Sequence, residues 1–297
     1  MSDVMKIFDR ATVRRHRDRA APGLDHYGFL FAEVAERLAE RVDDVLRDFP
    51  LVLDLGSHGG DLARLLPGRK GISTVISCDL SEAMVAQAPG AAVVCDEEFL
   101  PIAPNSVDLV VSNLSLHWVN DLPGALLQAR AALKPDGFFL AALFGGETLK
   151  ELRDSLAAAE IELEGGLSPR VSPFVDVRDA GALLSRAGFS MPVVDTETIT
   201  VTYEHPLKLM NDLRGMGESN AVHERRKGLS RRETLLTAVE NYLDTHADDE
   251  GRVPATFQIV WLAGWAPHDS QPQPMAPGSA TVSLADVLGT QPPSCSS

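Results

Sequence analysis

Residues 51–66 read LVLDLGSHGGDLARLL: a short apolar run, a turn with three glycines in five residues, then a helix-like pattern. A glycine-rich turn between a strand and a helix lets a ligand approach the backbone and meet the helix N-terminus. Gly56, Gly59 and Gly60 also suit a plain tight turn, so the turn alone is a weak signal. Its companions strengthen it. Asp79 ends the next apolar run, where an acid can accept both hydroxyls of a ribose. Asp96 and Glu97 end a third run, placed for the amino group of an adenine, and Asn113 ends a fourth. Each alone is equally a solvated strand end. Together they sit at the rim where open α/β sheets bind ligands, and they point to a nucleoside.

His117 and Trp118 follow the fourth run, at the mouth of that rim. Both read as pocket wall, and His117 is also a candidate catalytic base or substrate-orienting group. His16-x-Asp18 has part of the spacing of a two-histidine-one-carboxylate iron site. It lies in a basic segment and reads as a solvated or structural pair, so no metal is expected.

A doubly wound α/β sheet would bring these residues together. Strand-like and helix-like runs alternate five times within roughly 100 residues, from LVLDLG to FFLAALFG. Before them, residues 24–47 place Leu30, Val34, Leu38, Val42 and Val45 at helical spacing, which predicts an amphipathic helix on the sheet edge. LKPDG (133–137) predicts a turn closing the helix before the fifth strand. After residue 146 the pattern changes to helices and two strands, TETITVTYEH and ATFQIVWLAGW, expected as an antiparallel pair finishing the sheet. Segment 206–220, with its GMGESN stretch, is expected to act as a lid. The expected division is a basic segment and helix over 1–48, a ligand-binding domain over 49–266 with the lid at about 201–250, and an extended Pro/Ser-rich tail over 267–297.

The formal net charge of −15 argues against a nucleic-acid binder, because phosphate binding needs a positive footprint. RATVRRHRDRAA (10–21) is basic within this acidic chain; it reads as a solvated helix face or a contact for a partner protein. Cys78, Cys95 and Cys295 show no metal-type spacing and read as free thiols, the first two packed in the core. No run approaches the length of a membrane span, and any membrane association would come through a partner. Asp3, Asp9 and Asp18 interrupt the basic start, which reads as no targeting leader, so a cytoplasmic protein is expected.

DLGSHGG resembles the first motif of class I S-adenosylmethionine-dependent methyltransferases, acid-x-Gly-x-Gly-x-Gly, with His58 in the central glycine's place. Val107–Ser112 and LKPDG match that superfamily too, over roughly residues 45–145. A closer resemblance covers nearly the whole chain. IFDRATVRRHRDRAA, CDEEFLPIAPNSVDLVVSNLSLHWVNDLPGAL, EGGLSPRVSPF, LMNDLRGMGESNA and GSATVS are similar to the mitochondrial complex I assembly factors with a methyltransferase fold. That family is similar in turn to the biotin-pathway malonyl-carrier-protein methyltransferases.

The resemblance implies a Rossmann-like, mostly parallel sheet that binds S-adenosyl-L-methionine through Asp54, Gly56, His58, Gly60, Asp79, Asp96, Glu97 and Asn113. It implies hydroxylation of an arginine in a respiratory complex I subunit, the suspected partner, with no nucleic acid involved. Asp96, Glu97, Glu98, Asp121 and Glu147 are candidates to hold that arginine, and His117 to orient it. Two alternatives stand: methylation of a small acid or carrier-bound acyl group, and a non-enzymatic assembly chaperone that binds the same cofactor.

Overall fold

The computed structural model describes residues 6–174 and 176–272. Residues through Pro267 belong to one compact unit, and those after it to a second. The expected tail lies from residue 273 onward outside the described residues, as does Cys295.

Chain order runs α1 (Arg10–Ala20), α2 (Leu24–Tyr27), α3 (Phe29–Asp43), β1 (Leu51–Leu55), α4 (Asp61–Leu65), β2 (Thr74–Asp79), α5 (Glu82–Val85), β3 (Ala91–Val94), β4 (Val107–Asn113), α6 (Leu122–Ala132) and β5 (Leu133–Phe144). It continues with α7 (Lys150–Glu164), α8 (Val177–Arg186), β6 (Ser190–Tyr203), α9 (Pro206–Met216), α10 (Arg232–His246) and β7 (Val253–Trp265). The sheet order is β3-β2-β1-β4-β5-β7-β6. The first five strands are parallel, and β7 and β6 close the sheet antiparallel, as the sequence predicts. Order reverses between β1 and β4, and ligands of such sheets bind at that switch point.

Strand alternation divides the core. Val52, Leu109, Val111, Phe138 and Leu140 face one side, with α3 and α7. Leu53, Val110, Phe139 and Leu143 face the other, with α6 and α8. The predicted single helix over 24–47 is two helices, because Gly28 breaks it. Leu30, Val34 and Leu38 of α3 join the central core with Leu109 and Phe138, so α3 covers the middle of the sheet and not its edge. The predicted LKPDG turn lies inside the irregular start of β5, where pairing jumps from Val107–Leu133 to Leu109–Phe138. Cys78 and Cys95 are not separate thiols: they pair as a disulfide between the ends of β2 and β3.

The N-terminal segment is part of this unit. Phe8 bridges Val222 antiparallel, the Asp9 amide donates to the Ala221 carbonyl, and the His223 amide donates to that of Ile7. Phe8, Val13, Trp118, Ala221 and Val222 form a small core of their own. No helix among the described residues is long and apolar enough to cross a membrane.

Phe139 is 0% exposed, its ring 5.0 Å from that of Phe189. Phe139→Ala should destabilise the fold by about 3–5 kcal/mol through lost burial and a residual cavity. Urea unfolding checks this, and a loss below about 1 kcal/mol would mean that the two faces do not share one cooperative core.

Candidate functional site

The glycine turn sits at the switch point. Gly56 and Gly60 have φ of 72° and 85°, which favour glycine, and His58 adopts 47° despite its side chain. The amides of Gly56 and Ser57 donate to the Cys78 carbonyl, which docks the turn on β2. A Cβ at Gly56 would fall 1.9 Å from the Ser115 hydroxyl oxygen, so only glycine fits.

The acids at the strand ends are gathered, and two arginines of α1 stand among them. Arg17 is 2% exposed. Its Nη1 donates to Asp79 Oδ2 at 3.1 Å and to Glu97 Oε1 at 2.7 Å, and its Nη2 donates to Ser115 Oγ at 2.8 Å. Ser115 Oγ donates to Glu97 Oε1 at 2.9 Å. Asp79 also accepts from the backbone amides of His58 and Ser81. Arg10 pairs with Asp96 at 2.6 Å and with Glu97. Burial works to raise the Glu97 carboxyl, and Arg17 with Arg10 outweighs it, holding the group well below the usual carboxylate range.

This corrects the expectation that the basic segment faces outward to solvent or a partner. Thr12, Val13, Arg17 and Ala20 are its buried residues, while Arg14 stays half-exposed. The local acids decide which arginines turn in.

Five buried polar atoms around the turn have no hydrogen-bond partner: both oxygens of Asp54, the hydroxyl of Ser57, Nδ1 of His58 and Oδ1 of Asn113. Burial, then Asp61 and Asp79, pushes the Asp54 carboxyl well up. Buried polar atoms are normally satisfied, so this set suits a ligand carrying both donors and acceptors. His58 stacks on Phe31 at 4.2 Å between centroids, with Nε2 3.1 Å from the Asn113 and Leu114 carbonyl oxygens. Burial, then Arg17, holds this imidazole below its ordinary pKa, so Nε2–H is the donor and Nδ1 keeps a bare lone pair. Asn113 donates from Nδ2 to the Phe31 carbonyl.

His117 lies in a short 3-10 turn after β4, beside Trp118. Its Nε2 is 3.1 Å from Glu218 Oε2, and Trp118 Nε1 donates to both Glu218 oxygens, at 3.2 and 3.0 Å. Burial works to raise the Glu218 carboxyl, and His117 outweighs it, so the group lies below the usual range.

The other candidates disperse. Glu98 accepts from the Asn120 amide, Asp121 caps α6, and Glu147 pairs with Lys150 at the surface. His16 and Asp18 diverge: His16 meets the Ser219 carbonyl, and Asp18 accepts from the Ser81 hydroxyl. No cluster of three or more His, Cys, Asp or Glu suited to a metal occurs among the described residues. Sequence reasoning passed over Arg17, Ser115 and Glu218. The excess of strand-end acids over visible cations was the available signal for Arg17.

A family model described as a methyltransferase domain matches residues 53–141. A Danio rerio protein named "Arginine-hydroxylase NDUFAF5, mitochondrial" is 48% identical over 95% of this chain and 90% of its own length. A malonyl-[acyl-carrier protein] O-methyltransferase of Methylovorus is 36% identical over 88% of this chain and 90% of its own. The solved YcgJ protein of Bacillus subtilis shares the fold, with a TM-score of 0.55 at 14% identity, over 78% of this chain and 98% of its own. The name of the first relative overturns the cytoplasmic expectation and points to mitochondria. The acids interrupting the basic start had suggested the cytoplasm. Asp9 caps α1 and Asp18 pairs within it, while Asp3 lies outside the described residues.

Arg17→Met should cost about 3–5 kcal/mol, because it strands Asp79 and Glu97 as buried charges. Adding Glu97→Gln should recover part of the loss. Additive losses in urea unfolding would mean that the pair is not coupled.

His16 gives a pH signature. Burial, then Arg19, lowers its pKa from 6.5 to about 4. The unfolded chain therefore takes up this proton first, and stability falls as pH drops from 6.5 toward 4. His16→Gln should flatten that part of the profile, measured by urea midpoints at neutral pH and about pH 5. An unchanged slope would assign the loss to the carboxylates.

Proposed function

This chain belongs to the family of the NDUFAF5 arginine-hydroxylases, and we propose that it binds S-adenosyl-L-methionine at the glycine turn and modifies an arginine of a respiratory complex I subunit by hydroxylation. It is an enzyme of the methyltransferase type. The observation that carries the cofactor part is the set of unpaired buried atoms of Asp54, Ser57, His58 and Asn113 around a turn that admits only glycine at position 56.

The residues fit the cofactor's chemistry. Asp79 would take the ribose hydroxyls, and Asp96 with Glu97 the adenine edge. The bare oxygens of Asp54 would face the cationic amine end. Gly56 and Gly60 keep the backbone close, and Asn113 and His58 line the wall. When bound, the cofactor would supply an activated methyl group, whereas hydroxylation of the arginine is a two-electron oxidation and takes its oxygen atom from a separate activated-oxygen co-reactant that this cofactor does not provide. Arg17 and Arg10 hold the same acids, so these cations would share or exchange partners with the cofactor. His117 would orient the substrate from the rim. In this reading residues 1–48 and the lid at about 201–250 close over the domain 49–266, with the strand pairing of Phe8 and Val222 as their seam.

Identity of 48% to a named arginine-hydroxylase, against 36% to the acyl-carrier methyltransferase, favours arginine modification over methylation of an acid. Intact-mass analysis of complex I subunits from a deletion strain tests the reaction. One subunit should lose about 16 Da, whereas a loss of about 14 Da would replace hydroxylation by methylation. No mass change in any subunit would overturn the modifying role.

A further inference from the structure

Glu218 is a buried carboxylate that the cofactor reading does not use. Its side chain is 5% exposed. The C-terminus of α9 aims it inward: Gly217 takes a φ of 86°, and the Glu218 amide donates back to the Leu213 carbonyl. Both carboxylate oxygens accept only ring N–H groups, from Trp118 and His117. Among the described residues no arginine or lysine forms an ion pair with it. Two ring donors leave acceptor sites of this buried carboxylate open to a cationic ligand.

Glu218 lines a cavity of about 360 Å³ with Trp118, Leu152, Phe174, Met210 and Leu213. That size holds one long side chain. Leucines, Met210, Trp118 and Phe174 make one side of the wall, and the acid stands on a polar side with Ser172, Ser219, Asn220 and Ser230. His117, which shares Glu218, has its ring 4.7 Å from Phe144 and 5.8 Å from Phe174, so aromatic rings pack behind one of the carboxylate's donors. Arg170 borders the same space, but it is held by Glu160.

We propose that this cavity receives the arginine side chain of the protein substrate, with Glu218 as the residue that selects its guanidinium. The proposal rests on the arginine reading above and names the group that recognises it. The aliphatic stem lies along Leu152, Met210 and Leu213. The planar guanidinium meets the carboxylate bidentately, on acceptor sites that the ring donors leave open, and stacks on Trp118 or Phe174. A substrate carboxylate is rejected by like charge, which separates this site from one built for an acidic acyl group. Asp96 and Glu97 nearer the rim are already taken in this reading, by the cofactor's adenine edge and by Arg10 and Arg17.

The test uses the full chain and two probes, N-acetyl-L-arginine amide and the neutral isostere N-acetyl-L-citrulline amide. Calorimetry is run with each probe and, separately, with S-adenosylmethionine. The protein should bind the arginine probe at least about tenfold more tightly than citrulline, the worth of one charged pair. Glu218→Gln keeps the shape and should abolish that preference while leaving cofactor affinity within about twofold. Met210→Trp fills the cavity with the carboxylate intact and should lose the arginine probe as well. It also keeps the test open if the first variant fails to fold. An arginine preference that survives Glu218→Gln, or arginine binding that survives Met210→Trp, overturns the proposal, as does equal binding of the two probes by the native protein. If the deletion strain still shows its mass change, only Glu218's role has failed. Loss of that mass change would instead be the failure of the arginine reading itself.

Discussion

The site depends on one buried cation. Arg17 stands between Asp79 and Glu97, with Ser115 closing the ring. None of these charges is tenable alone in the interior, where desolvation costs several kcal/mol per ion. Together they fix the ends of β2 and β3 and the turn after β4 against α1. The N-terminal helix is thereby packed onto the strand ends at the switch point and is not an appendage. Its remaining buried residues, Thr12, Val13 and Ala20, follow the same face.

A second set of contacts joins the same helix to the substrate side. The segment after α9 pairs with residues 7–9 and carries Glu218 beneath Trp118. The paired segments 7–9 and 221–223 are thus anchored at one side by Arg17 and at the other by a carboxylate held by two rings. A shift of either strand of the seam moves both.

Period and spacing made the sheet legible. Apolar runs without alternation announced the parallel strands, and alternation announced the edge strand β6. The rim acids followed, because the ends of parallel strands collect at one edge. Arg17 was hidden for the opposite reason. It pairs with residues 62 and 80 positions away, and a helix dense in arginine gives no local sign of which one turns inward. Glu218 was hidden because a carboxylate in a Gly-Ser-Asn loop reads as solvated. His58 stands in the motif's central glycine place, where a side chain could crowd a ligand. The left-handed backbone instead turns its ring against Phe31 and under the end of β4. The pair Cys78–Cys95 was missed because 17 residues separate two strands that only the sheet makes neighbours.

If Asp79 takes the cofactor's ribose as proposed, Arg17 would also set how fast the site fills. A ligand that needs Asp79 cannot dock while the guanidinium holds it, so encounter and accommodation are separate events. The observed affinity is then the intrinsic affinity scaled by the fraction of molecules in which the helix has let go. At high ligand concentration the association rate would stop rising and level at the rate of that release, a first-order limit set inside the protein.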